Sequence, residues 1–137
     1  RSGPEQDART WNENGFASKT AMEEGHARVL AALPADIYPK SIWDVGCGNG
    51  LLLKRVGEKL GVKELIGVDR LEYDHRYQGV FYQGDISAFG PLVSDAPALA
   101  LISENRFIEN PGLTLKGYRY IIKYSYEKMT AIYMEAV

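Results

Sequence analysis

The chain has 137 residues, 45% of them hydrophobic, with 16 Lys and Arg against 18 Asp and Glu for a net charge of -2. That is enough for one domain with a real core and too little for two, and the balanced charge gives no support to a long polyanion held by bulk electrostatics; a nucleic-acid partner would need a local basic patch and is not expected. The sequence shows no apolar run of bilayer length, no signal pattern at its start and one unpaired cysteine, Cys47, so a cytoplasmic compartment without membrane contact is expected; His26 and His75, with no C-x-x-C pair, give no metal-ligand set.

In chain order, residues 1–17 read as a flexible N-terminal segment and 18–137 as the domain. From Ser18 to Leu33, Ala21, Met22, Gly25, Val29, Leu30 and Leu33 fall near helical spacing before Pro34. Ile42-Trp43-Asp44-Val45 has the apolar content of a buried strand. Gly46-Cys47-Gly48-Asn49-Gly50 lets the backbone turn sharply, and Leu51, Leu52, Leu53 and Val56 begin a helix with an apolar face. Free N–H groups at the start of that helix are expected to favour an anionic group in the turn.

Leu65-Ile66-Gly67-Val68-Asp69 is a second strand ending in a carboxylate, about 20 residues past the glycine turn, where a doubly wound fold places the acid that grips ribose hydroxyls. The connection from Leu71 to Gly79 has room for one or two helical turns, and His75 within it lies on the side that could reach a substrate. Val80 to Ile86 is a third strand, with Asp85 near its end. Residues 87–97 are broken by Gly90, Pro91 and Pro97. Ala98-Leu99-Ala100-Leu101-Ile102-Ser103 has the continuous apolar character of a central parallel strand.

Tyr118 to Tyr124 suits a fifth strand. Beyond it, Ser125 could cap a helix carrying Met129, Ile132, Tyr133 and Ala136 on one face, or the chain could turn into an antiparallel hairpin. The fold class is therefore α/β: a doubly wound, mostly parallel sheet with flanking helices, trimmed at the C-terminal end.

The glycine pattern, Asp44-x-Gly46-x-Gly48-x-Gly50, differs from the G-x-G-x-x-G of dinucleotide sites, which weakens a nicotinamide-dependent oxidoreductase. Together with Asp69 and Asp85 in order, it resembles the class I S-adenosylmethionine-dependent methyltransferases, over roughly the middle third of the chain. The resemblance implies methyl transfer to a small-molecule acceptor, with S-adenosylmethionine as cofactor and S-adenosylhomocysteine as product. Asp44 and the backbone of Gly46, Cys47, Gly48, Asn49 and Gly50 would hold the methionine end, Asp69 and Arg70 the ribose, and Asp85 and Ile86 the adenine. Ser103, closing the fourth strand, would also belong to the cofactor site, and Glu104 after it would be the catalytic residue, as a base or as an acceptor for substrate or cofactor groups, or instead paired with Arg106 or a lysine. Trp11, Phe16 and Lys19 are lid candidates, and Tyr124 and Tyr126 could border the methyl-transfer pocket. The Asn-Pro-Pro-Tyr type of motif is absent, which counts against amino-directed nucleic-acid and glutamine acceptors; a non-catalytic cofactor-binding or assembly module is the alternative. A homo-oligomer or larger partner could cover the sheet edge.

Overall fold

A computed structural model describes residues 10–85, 97–109 and 118–135. Six strands, β1 (Ser41–Val45), β2 (Glu64–Asp69), β3 (Val80–Gln83), β4 (Ala98–Ser103), β5 (Tyr120–Ser125) and β6 (Thr130–Glu135), form one sheet in the order β3-β2-β1-β4-β5-β6. All neighbours run parallel except β5 and β6. The order reverses at β1, whose Ile42 sits beside Leu65 of β2 and Leu99 of β4. A crevice outside the carboxyl ends of strands is expected at such a switch point.

The period of two in each strand divides the core between the two faces of the sheet. Ile42, Leu65, Leu99, Leu101 and Ile122 point to one face, against Val29 and Leu33 at the end of helix α1 (Lys19–Ala32) and Leu52, Leu53 and Val56 of helix α2 (Leu51–Leu60). Trp43, Val45, Ile66, Val68, Ala100, Ile102 and Ile121 form a second buried cluster. Strands buried on both faces need continuous apolar sequence, and β4 has it.

Ser18 caps α1, its Oγ accepting from the Ala21 N–H at 3.1 Å. Just ahead of α1, Phe16 is buried against Tyr126, with ring centroids 4.4 Å apart. Among the described residues, no helix is long and apolar enough to cross a membrane and no metal-binding cluster occurs.

Two segments with room for helix in the sequence form none. The β2–β3 connection contains no helix. Arg76 N–H donates to the Asn49 carbonyl at 2.8 Å and the Tyr77 hydroxyl to the Val80 carbonyl at 2.7 Å, so this segment is tied to its neighbours rather than to itself. The C-terminal segment resolves as the hairpin. Ser125 Oγ does accept from Lys128 N–H at 3.1 Å, as a cap would, but Met129 follows in the left-handed region at φ 56°, and the turn delivers β-branched Thr130 and Ile132 to a strand. The connections around residues 86–96 and 110–117 lie outside the described residues.

Candidate active site

The crevice over the carboxyl ends of β1 and β2 has a volume of about 560 Å³. Asp44, Gly46, Cys47, Gly48, Asp69 and Arg70 line its floor, with Asn12 to Gly15, Arg106, Tyr124 and Tyr126 around it. Its size falls in the range of small-molecule sites, roughly 300–1,000 Å³.

The glycine turn is built from backbone positions that other residues adopt only with strain. Gly46 has φ 89° and Gly48 φ 58°. A Cβ on Gly46 would collide with the Arg106 side chain, and one on Gly48 would come within 2.5 Å of Asn14 Oδ1 and 2.8 Å of the Glu13 carbonyl oxygen. Two other chain segments thus lie directly against this turn.

Within the turn itself, the N–H groups are already engaged. Gly46 and Cys47 N–H both donate to the Val68 carbonyl, at 2.7 and 3.0 Å, and Gly48 N–H to Asp69 Oδ2 at 2.7 Å. Asn49 N–H donates to Asn14 Oδ1 at 3.3 Å, Gly50 N–H to the Cys47 carbonyl at 2.9 Å, and Leu51 N–H to Asn49 Oδ1 at 3.1 Å. With every N–H from Gly46 to Leu51 engaged, the turn lacks the donors that a pyrophosphate would need. What it offers instead is negative charge.

Asp44 is 2% exposed, and its Oδ1 has no hydrogen-bond partner. Burial, reinforced by the Asp69 charge and opposed by Arg106, pushes its pKa up to about 7. Asp69 accepts from Gly48 through Oδ2 and from Arg70 N–H through Oδ1 at 2.7 Å. Each carboxylate oxygen has two lone pairs, so Asp69 keeps acceptor capacity toward the crevice. An orphaned buried oxygen, a second carboxylate and a cradle without Cβ atoms fit a ligand whose tail carries positive charge.

Cys47 makes no nucleophile. Burial and the neighbouring Asp44 and Asp69 charges push its thiol well above the ordinary range. His26 also lines the crevice, buried beneath the aromatic ring of Phe16. Its Nδ1 lies 2.8 Å from Arg55 Nη1, and burial followed by the Arg55 charge lowers its pKa to about 4. It is therefore neutral near pH 7, with Nδ1 accepting from Arg55.

Other sequence candidates are placed as follows. The Asn49 side chain is fully buried and faces the N-terminal segment, with Asn14 Nδ2 donating to its Oδ1 at 2.9 Å and its own Nδ2 donating to the Glu13 carboxylate at 3.1 Å. Asn49 and Gly50 do not line the crevice; a Cβ on Gly50 would meet the Tyr77 ring. Asp85 stands exposed just past β3 and outside the crevice lining, while Ile86 lies outside the described residues. Ser103 lines an adjoining chamber of about 550 Å³, which shares Gly46, Arg106, Tyr124 and Tyr126 with the crevice.

Glu104 lines neither space. Its Oε1 lies 3.1 Å from Lys128 Nζ, in a separate hollow, because the first turn of helix α3 (Glu104–Glu109) points it toward the hairpin. His75 is likewise remote: it stacks on Tyr77, lies 3.3 Å from Glu72, and borders a flank cleft of about 740 Å³ beside α2. That cleft is larger than the crevice, but Asp44 and Asp69 are not in it. Of the lid candidates, Trp11 and Phe16 hold the segment, with Phe16 N–H on the Trp11 carbonyl at 2.9 Å, and Lys19 is an exposed residue of α1; Asn12 to Gly15 do the covering.

The strand order, the reversal at β1 and the glycine-turn crevice define the fold of the class I S-adenosylmethionine-dependent methyltransferases. Among solved structures, the chain is similar to the plantazolicin methyltransferase BpumL in complex with SAH: 24% identity, 90% of this chain and 55% of that one, TM-score 0.50. The same protein in complex with a monoazolic desmethylPZN analog and SAH gives 24% identity, 88% and 53% coverage, and TM-score 0.50. The N-methyltransferase NodS from Bradyrhizobium japonicum WM9, in complex with S-adenosyl-L-homocysteine, gives 14% identity, 84% and 72% coverage, and TM-score 0.52. The chain spans about half the length of the BpumL structures. No protein-family profile and no curated protein matches it.

Proposed function

We propose that this chain binds S-adenosylmethionine in the crevice and transfers its methyl group to a small-molecule acceptor in the adjoining chamber. The observation that carries this reading is the inverted polarity of the glycine turn: its N–H groups are engaged, and the buried Asp44 Oδ1 has no partner. A dinucleotide's pyrophosphate would meet carboxylates there; an ammonium-bearing tail finds its counter-charge. The two neighbours above, in three structures, were each crystallised with the demethylated product SAH, which agrees with this ligand class.

In this reading Asp44 takes the ammonium, and Gly46, Cys47 and Gly48 let the tail approach the backbone. Asp69 accepts from the ribose hydroxyls, with Arg70 beside it. Asp85 and Ile86 serve the adenine, and Asn49 and Gly50 act by shaping the turn. The cofactor supplies a methyl group on a sulfonium, a leaving group good enough that placement and exclusion of water provide most of the acceleration. Tyr124 and Tyr126, with ring centroids 4.7 Å apart, border both spaces, and an aromatic face turned to the sulfonium would favour that cation. Ser103 borders the acceptor side. Glu104 can act as a base only after leaving Lys128, so an acceptor with a free lone pair at the reaction pH suits the site better than one that must lose a proton first.

The alternative, a cofactor-binding module without turnover, draws on that commitment of Glu104 to Lys128. A partner or second copy would then use the β6 edge, where Ile132 and Met134 are exposed. A cytoplasmic location accords with the single buried thiol. Incubation with S-adenosylmethionine and a panel of amine, hydroxyl and activated-carbon acceptors, read by mass spectrometry for S-adenosylhomocysteine, separates the readings. Product formed only with an acceptor supports the enzyme. Tight cofactor binding without product supports the module, and NAD binding in place of S-adenosylmethionine overturns both.

A further inference from the structure

We propose that Arg106 anchors the α-carboxylate of the cofactor's amino-acid tail, completing with Asp44 a clamp for a zwitterion. This rests on the crevice being the S-adenosylmethionine site. An α-amino acid brings an ammonium and a carboxylate a few bonds apart, so a site that offers only Asp44 would leave the carboxylate facing other carboxylates. The usual solution at a glycine turn, backbone N–H groups, is closed here: from Gly46 to Leu51 every N–H already has an acceptor. Within the turn, that leaves a side chain as the source of the counter-charge.

Among the described residues, three basic side chains line the crevice: His26, Arg70 and Arg106. His26 is buried with its ring nitrogen on Arg55 and is neutral near pH 7. Arg70 stands beyond the end of β2, beside the carboxylate assigned to ribose. Arg106 alone lies directly against Gly46, where its side chain occupies the space that a Cβ would need. Its charge also reaches Asp44, whose acidity it partly restores.

The local structure holds Arg106 at this point. Ser103 Oγ accepts from Arg106 N–H at 3.2 Å, fixing the first turn of α3 at the tip of β4. β4 pairs directly with β1, so the two strand tips bring Arg106 and Asp44 to the same glycine turn. A guanidinium donates two parallel N–H bonds to a carboxylate, which fixes the tail's orientation as well as its charge. Arg106 also borders the acceptor chamber, so a cofactor carboxylate that holds the guanidinium keeps it out of the acceptor's way.

The test is calorimetric titration of the full chain with S-adenosylhomocysteine and with its decarboxylated counterpart, which keeps the ammonium, thioether and nucleoside. Arg106→Gln should weaken the first by ten-fold or more and leave the second within two-fold, and Arg106→Lys, a point charge without the planar fork, should fall between. Far-UV circular dichroism checks that each variant is folded, and Arg106→Lys carries the comparison should Arg106→Gln fail to fold. Unchanged binding of both ligands, or an equal loss for both, would overturn the anchor and leave Arg106 as an acceptor-side or structural residue. Wild-type protein that binds neither ligand would instead overturn the cofactor site itself.

Discussion

Replacing Asp44 with Asn should make the empty protein more stable while weakening its hold on the cofactor. Asp44 is 2% exposed and its pKa is raised from 3.8 to about 7, chiefly by burial. A folded pKa above the unfolded value means that the folded state binds the extra proton between these limits, so stability falls as pH rises from about 4 to about 7 and stays low above. At about 1.36 kcal/mol per unit the three-unit shift amounts to about 4 kcal/mol, a ceiling for what Asn could recover near neutral pH. Leaving the new amide N–H groups poorly bonded costs about 1–3 kcal/mol of that, so a net gain of about 1–3 kcal/mol is expected at about pH 8 and none near pH 4.

His26 provides an internal control. Its pKa is lowered from 6.5 to about 4, so the unfolded chain binds the extra proton and stability rises with pH across that window. In the wild type the two slopes oppose each other. In Asp44→Asn the His26 slope should stand exposed, adding about 3 kcal/mol of stability between pH 4 and 6.5. Urea unfolding at a series of pH values, with the slope m unchanged, measures both effects. The reasoning fails if Asp44→Asn has wild-type stability at every pH, or if its pH dependence between 4 and 6.5 parallels that of the wild type.

Three further outcomes follow from the same geometry. Asp69→Ala should weaken S-adenosylhomocysteine binding by about 1–3 kcal/mol in calorimetry, the scale of hydrogen bonds to a charged group, and lower the thermal midpoint because Gly48 N–H loses its acceptor. Gly48→Val places a β-branched residue at φ 58° and a Cβ 2.5 Å from Asn14 Oδ1, so a destabilisation of about 1–3 kcal/mol in urea unfolding and loss of S-adenosylhomocysteine binding are expected. Asn49→Ala removes the acceptor for Leu51 N–H and the ties to Asn14 and Glu13; a drop of about 1–3 kcal/mol, with faster proteolysis near residues 12–15, is expected.

The sequence carried the sheet and the floor of the site because both are written in short-range patterns. Alternating glycines after Val45, the apolar run of β4 and the acid closing β2 each occupy a few consecutive residues whose spacing has one structural reading. The walls were hidden for the opposite reason. Asn14 reaches Asn49 across 35 positions, and no periodicity within either segment records that contact. The sequence left Arg106 or a lysine open as the partner of Glu104, and the turn of α3 decides it, sending Glu104 to Lys128 and Arg106 to Gly46. A glycine turn likewise advertises N–H groups, but which of them remain free depends on Val68, Asp69 and Asn14. The C-terminal segment had apolar residues compatible with either period, and the left-handed Met129 with the pairing of Ile122 to Tyr133 decided for the hairpin.

A crystal structure of the chain grown with S-adenosylhomocysteine tests the central claim most directly. Density for the ligand should lie across the tips of β1 and β2, with its amino nitrogen about 3 Å from Asp44 Oδ1 and its ribose hydroxyls against Asp69. Ligand density confined to the flank cleft beside His75, or none at saturating concentration while Asp44 Oδ1 is still without a partner, would contradict it.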